Sequence, residues 1–327
     1  MDNIRNRYEF TELYEGASRQ YINALSVFTA LEDARRKAVQ YRGGMYWKKH
    51  SGTGIEYLMR TQTDNSQTSI GARNSETEAV FEKFTKAKGE IEKRIQDLRS
   101  EFEIQRRMNR ALKVGRTPQM LVDILNMFAK VGIAEHFIVV GTNALYAYET
   151  EAGVRIATFE ALETNDVDLL WKIGKKVKFQ AQMDYNKMSM IGLLRKIDKT
   201  FEIRSEQQYT AVNSKGFEVD IIRPIDKDER LEPKTNPSRM TKYEDDFMAV
   251  KASTAGKLNG AVPFTSVVVS ASGAMARMNT VSPVQFIKVK RALAEYPDRE
   301  QIKKRRDLLQ ADIIEELVRK YLPQYEF

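Results

Sequence analysis

Cysteine is absent from the 327 residues of this chain, and histidine occurs only twice, as His50 and His136. Without cysteine the chain can form no disulfide, no thiolate nucleophile and no cysteine-ligated zinc site, and it is compatible with the reducing cytoplasm, where we expect it. The two histidines are too far apart in sequence to indicate a metal site or a Ser-His-Asp hydrolase. A metal site in this chain would therefore have to consist of carboxylates.

Long apolar runs are also missing. No run approaches the roughly 20 residues of a membrane span, and the first residues, MDNIRNRYEF, contain no apolar core of a secretion signal. We therefore expect a protein that does not act in a membrane. The net charge of +8 favours a polyanionic partner such as a nucleotide or a nucleic acid, although a merely basic surface would explain it equally well.

Two aspartates stand one residue apart in the otherwise apolar stretch TNDVDLLW, residues 164–171. Because successive side chains of a strand point to opposite faces, Asp166 and Asp168 share one face and Val167 points to the other. Carboxylates this close repel each other unless a cation lies between them, and a hard divalent metal is the usual solution. The pair therefore indicates a metal site, and the alternative of two cap residues at a strand end stays open.

The D-x-D pattern alone is a weak signal, because a second copy, Asp226 and Asp228, lies in a polar stretch where a solvated loop accounts for it. Two features elsewhere distinguish the first copy. Gly141 and Thr142 end the β-branched run HFIVVGT and begin a helical stretch, where free backbone N–H groups suit a phosphate. Asp220 lies within the apolar strand FEVDII. Three strand-borne acids and a phosphate-binding turn are what metal-dependent transfer to or from a nucleotide requires.

The motifs VVGTNALYAYE, TNDVDLLW and FEVDII resemble the signature of the nucleotidyltransferase superfamily that includes DNA polymerase β. The chain is still more similar to a bacterial family of nucleotidyltransferase-fold proteins, through GGMYWKK, SIGARNSETEAVFEKF and KKRRDLLQA, and this resemblance covers most of residues 40–315. Two features depart from the superfamily. Thr142 stands where serine is commoner, and the segment ETEAGVRIATFEALE lengthens the gap before the D-x-D pair.

The resemblance implies a role for each motif. The catalytic and metal-binding residues would be Asp166, Asp168 and Asp220, with Mg²⁺ or Mn²⁺ as cofactor and Asp220 as the base for the acceptor hydroxyl. The candidates for nucleotide binding are Gly141, Thr142, Asn143 and Lys290. Arg305 and Arg306 could also meet phosphates, but charge runs on C-terminal helices are more often solvated. The run KIGKKVK, residues 172–178, is a candidate nucleic-acid patch because it directly follows the acidic strand.

The predicted fold is α+β, with a mixed nucleotidyltransferase-type β-sheet flanked by helices. We divide the chain into an N-terminal arm with a helix and a β-hairpin (1–115), a catalytic domain (116–282) and a C-terminal helical segment (283–327). Within this frame the sequence predicts a hairpin over 45–70, a helix capped by Ser75 and Glu78, and a helix from Thr117 to Gly132. Residues 224–260 should form a loop or lid with some helix around 244–257.

Three functions fit these observations. The first is a Mg²⁺-dependent nucleotidyltransferase that moves a nucleoside monophosphate from an NTP to RNA, protein or a small molecule. The second is a catalytically inactive nucleotidyltransferase fold that binds nucleic acid or regulates. The third, a D-x-D glycosyltransferase or phosphatase, would use the aspartates differently. The later Thr/Ser and Lys motifs of an aspartyl-phosphate phosphatase are not found, and a glycosyltransferase would prefer UDP-sugars to free NTPs. The sequence indicates neither the NTP, nor the acceptor, nor the oligomeric state.

Overall fold

The structure is a computed structural model that describes residues 8–63, 65–172, 175–224, 238–252 and 263–325. The chain divides into two compact units, one of residues 1–18 and 110–327 and one of residues 19–109. We call the first the sheet unit and the second the arm unit. The pair Asp226 and Asp228, and much of the loop predicted over 224–260, lie outside the described residues.

The elements are numbered in chain order. The helices are α1 (Glu15–Ala38), α2 (Ser75–Ala111), α3 (Gln119–Val131), α4 (Leu145–Ala152), α5 (Lys176–Tyr185), α6 (Met190–Ile197), α7 (Pro283–Ala294) and α8 (Gln301–Tyr321). The strands are β1 (Phe10–Glu12), β2 (Gly44–Lys49), β3 (Glu56–Thr61), β4 (Gln67–Ala72), β5 (Phe137–Val140), β6 (Val154–Ile156), β7 (Asp166–Trp171), β8 (Glu202–Ile203), β9 (Thr210–Val212), β10 (Glu218–Arg223), β11 (Ser238–Arg239), β12 (Met248–Lys251), β13 (Pro263–Val269) and β14 (Met275–Val281).

The arm unit contains a three-stranded antiparallel sheet in the order β2-β3-β4, where the sequence predicts only a two-stranded hairpin. The prediction missed β4 because its sequence, QTSIGA, is largely polar and exposed and so shows no apolar alternation. One face of the sheet packs on α2. Trp47 meets Phe81 of the helix at 5.8 Å between ring centroids, and the guanidinium of Arg60 lies 4.1 Å from the centre of the Phe84 ring.

Helix α2 is capped one residue earlier than the sequence suggests. Asn74 Oδ1 accepts a hydrogen bond from the Thr77 backbone N–H at 2.9 Å, and Thr77 Oγ1 accepts one from the Asn74 N–H at 2.9 Å. This reciprocal pair is the capping box, with Asn74 and Thr77 in the places assigned to Ser75 and Glu78. Glu78 instead forms an ion pair with Arg73.

The main sheet of the sheet unit is mixed, with the order β11-β12-β10-β7-β5 and with β9 also paired to β10. β10 runs parallel to β7, whereas β5 runs antiparallel to it. All four residues of β5, FIVV, are buried, as are the last three of β7. This pattern is typical of strands that are covered on both faces.

Two local predictions in the sheet unit are wrong. Residues 248–251 form the strand β12 rather than a helix, because Val250 pairs with Ile222 at the end of β10 and so extends the sheet; residues 253–257 of that predicted helix lie outside the described part. Thr117 does not cap α3, because the helix begins at Gln119 with Pro118 as its N-cap residue, and the Thr117 backbone pairs with Ser270 instead. The predicted end of α3 is confirmed: Gly132 has a φ of +80°, a left-handed cap that favours glycine.

The remaining elements surround the sheet. β13 and β14 form an antiparallel hairpin, and the hydroxyl of Thr280 on β14 donates to the Val139 carbonyl of β5 at 2.7 Å. Ser282 caps α7, and α7 packs along α8. The predicted α+β class and the C-terminal helical segment are thus confirmed. The three domain boundaries stay a prediction. Within the described residues, no helix combines the length and the apolar character that crossing a bilayer requires.

Candidate active site

The three predicted aspartates lie side by side on two neighbouring strands. β7 and β10 are parallel, and their register places Asp220 opposite Asp168 and Glu218 opposite Asp166. Because paired residues of neighbouring strands point to the same side, all four carboxylates share one face of the sheet. The hydrogen bonds between β7 and β10 therefore bring Asp168 and Asp220 together, although they are more than 50 residues apart in sequence.

The glycine turn closes directly over this acidic face. Val140, the last residue of β5, pairs with Asp168, so Gly141 follows at the level of the aspartates. Gly141 has a φ of +69°, and a Cβ built on it would lie 2.3 Å from Asp168 Oδ2. Any other residue type would be strained here by the left-handed backbone, and its Cβ would force the Asp168 carboxylate to move. The turn thus leaves room beside Asp168.

Hydroxyl and guanidinium groups hold the outer carboxylates. The Thr164 hydroxyl donates to Asp166 Oδ1, and the Thr210 hydroxyl donates to Asp220 Oδ1 at 2.5 Å. Glu218, the fourth acid on the face, forms an ion pair with Arg204. Glu218 differs from the three aspartates in this respect, because the Arg204 side chain already balances its negative charge.

The electrostatics of the aspartates follow from this crowding. Burial raises the pKa of Asp168 to about 7, and the nearby carboxylates of Asp166 and Asp220 add to the rise, while Lys290 and Arg299 oppose it. Burial also raises the pKa of Asp220, against the hydrogen bond from Thr210. The protein alone therefore does not balance the negative charge that the three aspartates would carry at neutral pH.

The raised pKa of Asp168 predicts an unusual pH dependence of stability. The folded state holds the Asp168 proton up to about pH 7, whereas the unfolded chain releases it near the ordinary value of 3.8. The free energy of unfolding in EDTA should therefore fall as the pH rises from about 4 to 7, by roughly 2–4 kcal/mol from this group. Urea unfolding at pH 5 and pH 8 would measure this fall in the free energy of unfolding. Asp168→Asn is the control, because any pH dependence that it retains comes from other groups. Greater stability at pH 8 than at pH 5, after this background is subtracted, would contradict the expectation.

The two residues after Gly141 face inward and contact other elements. Thr142 Oγ1 accepts a hydrogen bond from Gln310 Nε2 of α8 at 3.1 Å, and the same Gln310 nitrogen donates to the Ala161 carbonyl at 2.6 Å. Asn143 Nδ2 donates to the backbone carbonyl of Asp166 at 2.6 Å. The amide oxygens Asn143 Oδ1 and Gln310 Oε1 are buried and have no hydrogen-bond partner among the described residues. The turn is thus tied both to β7 and to α8.

Lys290 lies in a buried ion network rather than in an open cleft. Its Nζ is 2.8 Å from Asp307 Oδ1, and the other oxygen of Asp307 accepts from Arg299, with Nη2 at 2.7 Å. Asp307 and Lys290 are only 1% and 6% exposed. Burial lowers the pKa of Lys290, whereas the charges of Asp307 and Asp168 raise it. Lys290 therefore acts on Asp168 electrostatically while bound to Asp307.

The predicted basic patch lies away from the aspartates. The candidate patch of residues 172–178 follows the far end of β7, about 17 Å along the strand from Asp166 at some 3.3 Å per residue. Within it, Lys175 and Lys178 both pair with Glu135, at 2.8 and 2.6 Å, and this pairing lowers the pKa of Glu135 to about 2. Residues 173 and 174 are outside the described part of the chain. The patch therefore does not adjoin the aspartates, and its role in nucleic-acid binding stays a prediction.

The three aspartates match a divalent cation in their chemistry but not in a finished geometry. The donor chemistry fits, because three carboxylates of like charge share one face and a glycine leaves room beside the central one. In the parts of the chain that the structure describes, however, no group of three or more His, Cys, Asp or Glu side chains is arranged to hold a metal ion. Two of the aspartates instead accept bonds from neighbouring threonines. The face is suited to a cation in charge and in kind of ligand, but it is not a preformed metal cage.

Sequence reasoning missed the residues that support the site from a distance. Asp307 and Gln310 belong to KKRRDLLQA, and their spacing of three places them on the same side of α8, with Asp307 toward Lys290 and Gln310 toward Thr142. The sequence analysis singled out only the basic residues of that motif, as possible phosphate contacts. Of these, Arg305 is exposed, and Arg306 donates to the Glu163 carbonyl at 3.4 Å, close to Thr164. The signal in the sequence was an acid and an amide, Asp307 and Gln310, on the same side of a highly charged helix.

Comparison with known proteins identifies the class to which this fold and site belong. A protein-family model described as Nucleotidyltransferase matches residues 119–327, a range that contains every residue of the candidate site. The chain therefore belongs to this nucleotidyltransferase family, and the predicted nucleotidyltransferase-type fold is confirmed. No curated protein and no solved structure matches the chain. The arm unit, residues 19–109, lies outside the matched range.

Proposed function

We propose that this protein is an active Mg²⁺- or Mn²⁺-dependent nucleotidyltransferase that transfers a nucleoside monophosphate from an NTP to an acceptor hydroxyl on RNA, protein or a small molecule. The main support is the register that sets Asp220 beside Asp168, with the Gly141 turn closing over Asp168, in a chain that belongs to a nucleotidyltransferase family. We also propose a place in the DNA polymerase β-like superfamily, a bacterial source and a cytoplasmic location.

The aspartates have different roles in this proposal. Asp166, Asp168 and Asp220 would hold the cation, which when bound neutralises charge on the phosphates and on the departing pyrophosphate. Asp220 also takes the proton of the acceptor hydroxyl. Its raised pKa makes it a better proton acceptor than an ordinary aspartate, and the Thr210 hydroxyl fixes one of its oxygens.

The transfer step balances with the groups at hand. The acceptor oxygen attacks the α-phosphorus of the NTP and forms a new P–O bond, while the bond to the pyrophosphate oxygen breaks and pyrophosphate leaves with the electron pair. The acceptor proton moves to the Asp220 carboxylate. Catalysis consists of positioning and charge balance, and no covalent bond to the protein is needed.

The glycine turn and the C-terminal helices would hold the triphosphate. Gly141 presents no side chain, so phosphate oxygens can approach the backbone N–H groups of the turn. Thr142 and Asn143 are fixed by Gln310 and by β7, which holds the turn in one position. Lys290 supplies positive charge next to Asp168.

Calorimetric titration with each non-hydrolysable NTP, with and without Mg²⁺, tests the proposal. One NTP should bind only with Mg²⁺, and Asp166→Ala and Asp220→Ala should each abolish the binding. Glu218→Gln is the matched control, because it changes an acid of the same face that Arg204 already neutralises, and it should bind as the parent does. Radiolabelled NTP would then identify the acceptor.

The alternative is a catalytically inactive member of the family that acts as a nucleic-acid-binding or regulatory protein. It predicts that no NTP binds the properly folded protein and that Asp166→Ala changes nothing. Such a result would overturn the proposed activity. A glycosyltransferase would instead bind a UDP-sugar more tightly than any free NTP.

A further inference from the structure

We infer that the outer face of the β2-β3-β4 sheet in the arm unit binds single-stranded RNA. By the outer face we mean the side turned away from α2. Two observations lead to the inference: the set of side chains on this face and the charge that the face carries.

The inner face identifies the outer one. Trp47, Leu58 and Arg60 belong to the inner face, since Trp47 and Arg60 contact α2 and Leu58 is fully buried. Alternation along each strand then places their neighbours outward. The outer side chains of β2 and β3 are Tyr46, Lys48, Tyr57, Met59 and Thr61.

The outward side chains form a compact group. The register pairs Tyr46 with Met59 and Lys48 with Tyr57, so the two tyrosines stand diagonally across neighbouring strands. Tyr46 is 37% exposed, and its hydroxyl donates to Gln67 Oε1 of β4 at 2.7 Å. Two partly exposed tyrosines on one sheet face provide flat surfaces on which successive unpaired bases can stack.

The outer face of the β2-β3-β4 sheet carries a positive charge and no negative charge, which favours a polyanion as its partner. On the three strands the only acid is Glu56, which lies on the inner side and pairs with Arg73 at 2.6 Å. Lys48 is therefore the only charged residue among the outward side chains of β2 and β3, and the residues of β4 paired with Thr61, Met59 and Tyr57, which are Gln67, Ser69 and Ala72, are uncharged.

Hydroxyl and amide groups on the same face favour RNA over DNA. Thr61 is paired with Gln67, and Ser69 is paired with Met59, so all of these lie next to the tyrosines. Such groups can donate to or accept from a ribose 2′-hydroxyl, which DNA lacks. The face thus combines stacking surfaces, a cation and partners for the sugar.

Fluorescence anisotropy with the full chain tests the inference without NTP and in EDTA, so that its failure is separate from failure of the proposed transfer activity. The probes are labelled oligouridylate and oligoadenylate of about 12 nucleotides, the matching single-stranded DNA, and an RNA duplex. Single-stranded RNA should bind most tightly. Tyr46→Ser and Tyr57→Ser should each weaken binding about tenfold, and Tyr46→Phe should keep it.

Matched variants distinguish the face from general charge. Lys48→Glu should weaken RNA binding more than Lys83→Glu, which makes the same charge change at an exposed position of α2. Tyr185→Ser, at a 51% exposed tyrosine of the sheet unit, should leave binding unchanged. Equal effects of the two lysine variants, equal affinity for DNA, tighter binding of the duplex, or a dimer that Tyr46→Ser dissociates would each overturn the inference.

Discussion

Replacing Asp168 with asparagine should abolish Mg²⁺-dependent NTP binding and transfer, and should at the same time make the metal-free protein more stable at neutral pH. Burial raises the pKa of Asp168 to about 7, and the negative charges of Asp166 and Asp220 contribute to this rise. Asparagine has nearly the same shape but no charge to desolvate or repel. The residue that we propose to be central to metal binding is thus one whose charge the fold tolerates poorly.

The expected effects of Asp168→Asn are large in both directions. Transfer should fall by about a thousandfold or more, as when a group that balances transition-state charge is removed. Urea unfolding in EDTA at pH 8 should show a gain of roughly 2–3 kcal/mol. Asp198→Asn is the contrast, because hydrogen bonds from Thr200 lower the pKa of Asp198 and its removal should not stabilise. An Asp168→Asn protein that retains transfer would exclude Asp168 from the reaction.

Replacing Asp307 with alanine should be the most destabilising of the changes considered. Asp307 is 1% exposed and bonds both Lys290 and Arg299. Its loss leaves Lys290 buried without a partner, which typically costs about 3–5 kcal/mol. Urea unfolding measures the loss. Glu300→Gln removes the partner of Lys303 in an exposed pair and should change stability by less than about 1 kcal/mol.

A double variant separates the structural role of this network from its proposed role in nucleotide binding. Lys290→Met combined with Asp307→Leu replaces the buried pair with apolar side chains, which should restore most of the stability that Asp307→Ala loses. NTP affinity should nevertheless stay low, since the positive charge beside Asp168 is gone. Affinity equal to that of the parent protein would show that Lys290 does not contribute to nucleotide binding.

The features that the sequence predicts well are local. Alternation along TNDVDLLW is enough to place Asp166 and Asp168 on one face, and a glycine at the end of β5 is enough to indicate a turn. The alignment of Asp220 with Asp168 was only implied by resemblance, because the pairing of β7 with β10 joins distant parts of the chain.

Other features required tertiary contacts that no local pattern reveals. Residues 248–251 have no strand-like alternation of their own and become a strand because β10 offers them an edge. Asp307 and Gln310 look like surface residues of a charged helix, and only the fold shows that they contact Lys290 and Thr142. The outer face of the arm sheet was likewise missed, because β4 is too polar to be recognised as a strand.

The in-register pairing of β7 and β10 also affects how this protein can diverge. The spacing of Asp168 and Asp220 is set by the backbone hydrogen bonds between two adjacent strands, and not by the chain that connects them. Segments between those strands, such as α5 and α6, can therefore lengthen, shorten or change sequence without moving the two carboxylates apart. The surface around the two aspartates can thus change while their spacing stays the same.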